Sequence, residues 1–120
     1  MPSRFYSVVI GANDIVALGR FWADVLEQRV VYQSDDELVV AKDDETEPAL
    51  VFVPVPQVKA GQNRLHIDLA PDDRDAEVER IIGLGATRVD VGQGPEVTWV
   101  VLADPEGNEF CVLSARDGGL

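Results

Sequence analysis

Basic residues, cysteine and histidine are what this sequence has least of. Its 120 residues hold 10 Lys and Arg against 22 Asp and Glu, a formal net charge of −12, with one cysteine and one histidine. Phosphate-rich partners are bound by clustered Lys and Arg, so neither nucleic acid nor an anionic membrane surface is expected as a partner. The acidic balance serves solubility and is also compatible with a cationic ligand. A single cysteine, Cys111, excludes an intrachain disulfide and a cysteine zinc cluster. No apolar run approaches the roughly 18 residues of a membrane span. The opening Met1-Pro2-Ser3-Arg4-Phe5 runs straight into a strand-like pattern and lacks the basic-then-apolar shape of a signal peptide. A cytoplasmic protein is the economical expectation.

What is present is ordinary globular material, 46% hydrophobic and 27% charged, and its length points to one domain, residues 1–120. Alternation predicts a first strand over Arg4 to Ile10, with Phe5, Ser7 and Val9 on one face and Tyr6, Val8 and Ile10 on the other. Asn13 or Asp14 is placed to cap a helix from about Ile15 to Leu26, whose Ile15, Leu18, Phe21, Trp22, Val25 and Leu26 form an apolar stripe. Strands are expected at Arg29 to Gln33, Glu37 to Ala41 and Ala49 to Val55, with an acidic loop over Lys42 to Pro48. Pro54 and Pro56 suggest that the strand from Ala49 ends at a sheet edge, because proline donates no ladder hydrogen bond.

After a linker at 57–62 the order of elements repeats. A strand over Arg64 to Leu69 is followed by a helix over Asp75 to Leu84 stopped by Gly85. Strands at Thr87 to Val91, Val97 to Ala103 and Glu109 to Ser114 follow, the last two joined by a reverse turn at Asp104-Pro105-Glu106-Gly107. The chain thus reads as two βαβββ modules, about 4–56 and 63–115. Shifting the first by 59 positions lays Ser7 on His66, Asp14 on Asp73 and Ala17 on Ala76.

The stretch Asn63-Arg64-Leu65-His66-Ile67-Asp68-Leu69 carries the only histidine. Alternation puts His66 and Asp68 on one face, opposite Leu65, Ile67 and Leu69. An imidazole titrates near neutral pH and suits proton transfer or metal ligation. Asp68 could orient it, as in a catalytic dyad. A structural hydrogen bond between the two is the plain alternative.

Asp104-Pro105-Glu106-Gly107-Asn108-Glu109-Phe110 resembles the Asp-Pro-acid-Gly-Asn hairpin of the glyoxalase / bleomycin-resistance / extradiol-dioxygenase superfamily, the vicinal oxygen chelate proteins. Asp14 with Phe21-Trp22 and Val25-Leu26 resembles that family's first helix, and Gly83-Leu84-Gly85-Ala86 the end of its second. The stretch around His66 is similar to a glyoxalase-like subgroup. The resemblance implies an α+β fold in which two βαβββ modules form a cup-shaped mixed sheet with helices outside and a ligand cavity within. It also implies assembly as a homodimer.

Many members hold zinc, iron or manganese on four inward positions, one on the first and one on the last strand of each module. Carried onto this chain, those positions fall on Ser7, on the apolar stretch Leu50 to Val53, on His66 and on Cys111. One typical ligand of four is retained, so the typical metal site is not expected. Were an ion held, His66, Glu109 and Cys111 would hold it. Glu109 shares a strand face with Cys111 and is a further candidate acid/base, or a rim charge. Cys111 reads as a small buried hydrophobe or a reactive thiol. Arg64 could steer a carboxylate or pair on the rim, and Trp99 could form a stacking wall. Asp104, Gly107 and Asn108 read as turn architecture.

The expected function is binding of a small organic molecule, cationic or aromatic, in the sheet cavity without the typical metal. Ser7, Arg64, Trp99 and Cys111 are the expected ligand-binding residues. The alternative is an enzyme of the superfamily, a lyase, isomerase or dioxygenase, using His66 with Asp68 or Glu109 as acid/base or a non-standard metal. A non-catalytic dimer or interaction module is the third reading.

Overall fold

The structure is a computed structural model describing residues 2–61, 65–89 and 98–114. The chain divides into two compact units, Met1–Val58 and Lys59–Leu120. In the first unit β1 (Ser7–Ala12) is followed by α1 (Ile15–Leu26), β2 (Arg29–Gln33), β3 (Leu38–Ala41) and β4 (Ala49–Pro54). In the second, β5 (Asp68–Leu69) is followed by α2 (Arg74–Gly83), β6 (Thr87–Arg88), β7 (Val100–Ala103) and β8 (Glu109–Val112). Each unit is therefore βαβββ, and each holds one four-stranded sheet, ordered β1-β4-β3-β2 and β5-β8-β7-β6. First and last strands pair in parallel, β1 with β4 and β5 with β8, and the remaining pairs are antiparallel.

Both helices start for the same local reason. Asp14 and Asp73 are extended, and their side chains accept from the amides of Ala17 and Ala76, satisfying donors the first turn leaves free. The helices end differently. Glu27 closes α1 in the left-handed region at φ 53, whereas after α2 the positive φ of +126 falls on Gly85. In α1 the predicted stripe is buried: Leu18, Phe21, Trp22 and Val25 are almost wholly covered. Full burial of each such side chain contributes roughly 1.5–3 kcal/mol. Phe21 and Trp22 meet edge to face at 5.3 Å. Gly19 lets α1 approach β3, since a Cβ there would lie 2.4 Å from a Leu38 methyl carbon. Leu38, Val40 and Phe52 form the fully buried sheet side of this core. In the second unit Val78 and Ile81 of α2 are buried with Leu102, Phe110 and Val112.

Four details of the sequence reading change. β4 does not lie at an edge; it sits between β1 and β3. Pro54 is tolerated because the amides of Ala49 and Val55 face β1, donating to Tyr6 and Ala12. By alternation the Pro54 nitrogen faces β3, beyond the last β3–β4 pair at Leu38 and Phe52. β1 runs on through Gly11 and Ala12, which pair with Val53 and Pro54. It also begins only at Ser7, so its alternation does not reach Tyr6. β5 is two residues long, so His66 lies just before the strand rather than within it. Val91, Val97 and the tail Arg116 to Leu120 lie outside the described residues.

The turn between β7 and β8 is hydrogen-bonded throughout. Asp104, 4% exposed, accepts at Oδ1 from the amides of Glu106 (2.9 Å) and Asn108 (3.0 Å), and at Oδ2 from Asn108 Nδ2 (3.1 Å). Gly107 supplies φ +87. This motif sets the β7–β8 register that positions Cys111. Among the described residues no helix is long and apolar enough to cross a membrane.

Candidate functional site

Each sheet has a side away from its helix, and the chemistry-bearing residues lie there. In the second unit, register decides which residues meet. β5 and β8 pair with Asp68 opposite Cys111, and the Cys111 amide donates to the Ile67 carbonyl. Phe110 and Val112 turn into the core, so Cys111 and Glu109 face the other way. Cys111 also pairs with Val101, and Glu109 with Ala103. Carrying the alternation of β7 back one residue puts Trp99, 39% exposed, on that same side.

His66, Asp68 and Cys111 converge. His66 Nε2 lies 3.1 Å from Asp68 Oδ1, the imidazole N–H donating to the carboxylate, and both side chains are about half exposed. One ligand atom from each of the three, nitrogen, oxygen and sulfur, falls within 4.8 Å of the others. Burial pushes the Cys111 thiol above its ordinary range. The Asp68 charge, a hydrogen bond from the thiol to Asp68, and the Glu109 charge push it in the same direction. Cys111 is therefore a protonated donor in this cluster rather than an activated nucleophile. Asp68 is its hub, taking the imidazole on one side and the thiol on the other.

Glu109 does not join that group of atoms, although its charge is felt at Cys111. Among the described residues the donor set that could hold a metal is thus His66, Asp68 and Cys111. The reason is geometric: Asp68 is directly across from Cys111, whereas Glu109 is two residues along β8. The mixed N/O/S set fits a borderline-soft divalent ion of the zinc kind better than magnesium or calcium, which take all-oxygen shells. Arg64 lies outside the described residues.

Ser7 belongs to the first unit. There the helix-free side of the sheet carries a cavity of about 430 Å³. Ser7 and Val9 of β1, Val39 of β3, and Ala49 and Val51 of β4 form its floor. Tyr6 and Tyr32, 68% and 54% exposed, stand over it. Glu37, Asp43, Asp44 and Glu47 line its rim. The Glu45 amide and the Thr46 hydroxyl donate to Asp43 and hold its carboxyl below the usual range, so it stays charged. Glu47 is paired with Arg4 at 2.9 Å.

Sequence reasoning did not single out Tyr6, Tyr32 or these carboxylates. Tyr32 reaches the cavity through a bulge. Val30 pairs with Val40, but the next partner of Val39 is Tyr32, not Val31. The extra residue turns Tyr32 onto the Val39 side. Nothing in Arg29 to Gln33 announces a bulge. The run Asp43-Asp44-Glu45 beside a strand end was the one available signal for the rim.

A family model, described as a glyoxalase-like domain, matches residues 7–113. No curated protein matches this chain. Among solved structures, similarity extends to a glyoxalase/bleomycin resistance protein/dioxygenase family enzyme from Burkholderia phytofirmans. It is 21% identical, with TM-score 0.74, covering 94% of this chain and 99% of the other. A fosfomycin resistance protein from Mesorhizobium loti is 19% identical, with TM-score 0.71, over 94% and 92% of the two chains. A bleomycin-binding protein from Streptomyces verticillus, solved with copper(II)-bleomycin, is 20% identical, with TM-score 0.62, over 95% and 98%.

Proposed function

This chain belongs to the glyoxalase-like domain family and has the glyoxalase/bleomycin-resistance/dioxygenase fold, and we propose that it binds a small organic cation or aromatic molecule. The bound molecule lies on the helix-free side of the first sheet, and binding does not depend on the four-ligand metal set found in other members. The observation that carries this reading is the cavity of about 430 Å³, with an apolar floor, two tyrosines and a rim of carboxylates. An apolar floor rewards burial of a hydrocarbon or ring, and tyrosine faces and carboxylates favour positive charge. Ser7 is the one hydroxyl on the floor and would orient the ligand. Relatives named for bleomycin binding and fosfomycin resistance are consistent with a protein that captures a drug-like molecule. A cytoplasmic setting and a homodimer are part of the same proposal, the latter tested by light scattering.

The test is thermal melting of chelator-treated protein against a panel of aromatic and aliphatic amines and their neutral isosteres. Cationic members raise Tm and the isosteres do not. Tyr32→Ala and Glu37→Gln each weaken binding about tenfold, the order expected for one cation–π or charge contact near 1.4 kcal/mol. If no compound in the panel shifts melting, the reading fails.

One observation favours a second reading. The 3.1 Å contact of His66 with Asp68 has the form of an oriented acid/base pair. On that reading a molecule bound beside His66 in the second unit is turned over, and kcat follows a pH profile that His66→Ala abolishes. Ligand-dependent stabilisation with no turnover under any condition tested excludes it.

A further inference from the structure

We propose that the ligand of the first unit is a linear diamine or polyamine, one terminal ammonium held by Glu37 and Tyr32 and the other by Asp43 and Asp44. The inference rests on the reading above, that this cavity takes a cation, and adds to it a second charge and a length. The cavity of about 430 Å³ is lined by Glu37, Asp43, Asp44 and Glu47, and among its described lining residues none is basic. Arg4 pairs with Glu47 at 2.9 Å and offsets that charge. The Lys42 charge is felt at Asp43, but less than the Glu45 amide and the Thr46 hydroxyl. Glu37, Asp43 and Asp44 together carry more negative charge than a single ammonium balances.

Register separates these charges. Tyr32 pairs with Val39, Val39 with Val51 and Val51 with Val9, a row across the floor. Glu37 precedes β3 at one end of that floor, and Asp43 and Asp44 follow it at the other, with Val39 and Ala41 between them. At about 3.3 Å per residue, β3 and its flanking residues put the two ends on the order of 15 Å apart. Hydrogen bonds tie down both ends. The Glu37 amide donates to the Ser34 hydroxyl, and the Ser34 amide to the Glu37 carbonyl at 2.8 Å. Asp43 accepts at Oδ1 from the Glu45 amide (2.9 Å) and the Thr46 hydroxyl (3.1 Å). A carboxylate so bonded still has lone pairs for an ammonium. A methylene chain laid along the floor buries against Val9, Val39 and Val51, and its charged ends then meet carboxylates. The faces of Tyr6 and Tyr32 favour the same positive charge. A compact monocation reaches one end only.

The experiment is calorimetric titration of the full chain with a twelve-carbon α,ω-diamine and with the amino alcohol of the same length, in which a hydroxyl replaces one ammonium. Salt at about 0.15 M screens the diffuse field of a chain of net charge −12. The diamine binds at least about tenfold tighter than the amino alcohol, the effect of one further charge contact. The four-carbon counterparts, too short to reach both ends, show no such gap. If the two twelve-carbon compounds bind equally, the second anchor is overturned and the cation-binding reading stands. If neither binds, and the simple amines above do not bind either, both fail.

Variants assign the two ends. Asp43→Asn combined with Asp44→Asn closes the gap between diamine and amino alcohol and leaves the affinity for the amino alcohol unchanged. Asp43→Asn keeps an Oδ1 acceptor for the Glu45 amide and the Thr46 hydroxyl, so the turn is retained. Glu37→Gln weakens both compounds. Asp72→Asn, at an exposed carboxylate of the second unit, removes the same charge and changes neither. Thermal melting of each ligand-free variant confirms that it is folded, and the comparison of chain lengths on the wild-type protein needs no variant. A loss at Asp72→Asn as large as that at Asp43 and Asp44 reveals diffuse attraction to an acidic surface and overturns the site. A gap that survives removal of both aspartates overturns it as well.

Discussion

The two units place different chemistry on the same scaffold positions. Ser7, Val9 and Val51 in the first occupy the places of His66, Asp68 and Cys111 in the second. Val9 pairs with Val51 in parallel, just as Asp68 pairs with Cys111. Each helix begins one residue after a capping aspartate. Yet one set of three positions is a cavity floor and the other a hydrogen-bonded N/O/S cluster. The backbone pattern survives because it depends on caps, alternation and a buried stripe, which many residues satisfy. Residues facing away from the helix carry little of that burden, so they are free to diverge toward function.

The cores of the two units should be equivalent, and the largest effects are expected there. Phe52 and Phe110 are 0% and 1% exposed, and truncation of either to alanine should cost about 3–5 kcal/mol in denaturant unfolding. A cost below about 1 kcal/mol in one unit alone would break the equivalence.

The caps sharpen it at the next scale. Asp14→Ala and Asp73→Ala should each cost about 1 kcal/mol, because each removes a single acceptor for one first-turn amide. The helix ends should differ instead. Glu27→Gly is expected to stabilise the protein by about 0.5 kcal/mol, the relief of left-handed strain exceeding the entropy that glycine loses. Gly85→Ala, at φ +126, should destabilise it.

The polar cluster predicts a pH effect that the first unit has no group to show. The Cys111 thiol titrates above its ordinary range, so alkylation by iodoacetamide should stay slow through neutral pH and accelerate only above it. Asp68→Asn removes the nearby carboxylate charge and weakens the hydrogen bond accepted from the thiol, so the midpoint should move down and labelling at fixed pH should rise. An unchanged profile would mean that burial and the Glu109 charge hold the proton without Asp68.

The smallest effect belongs to α2. Glu77 pairs with Arg80 at 2.8 Å, and the hydrogen bond holds its carboxyl below the usual range. Both partners are partly exposed, so Arg80→Ala should cost only about 0.3–0.5 kcal/mol. The Glu77 carboxyl is depressed in the folded state. Its contribution is present above its unfolded pKa and is lost as pH falls through the folded value, so wild type and variant should converge in acid.

Sequence alone determined the repeated βαβββ order, a cap for α1 at Asn13 or Asp14, the α1 stripe and the turn at Asp104. Each rests on contacts between near neighbours in the chain, or on a periodicity that one face of an element imposes. It also brought His66, Asp68 and Cys111 forward as single candidates. Tertiary structure decided which of them meet. Asp68 faces Cys111, and Glu109 does not join them, because the parallel β5–β8 register sets that pairing across more than 40 residues of chain. It also decided that Tyr32 stands over a cavity, because one extra residue at Val31 reverses a face that strict alternation would assign to the core. Pro54 ends an interior strand because only the neighbouring strand's length left its missing amide without a partner to satisfy. Register, bulges and strand ends are long-range facts. They follow from which strands lie side by side, and alternation along one strand does not carry that information.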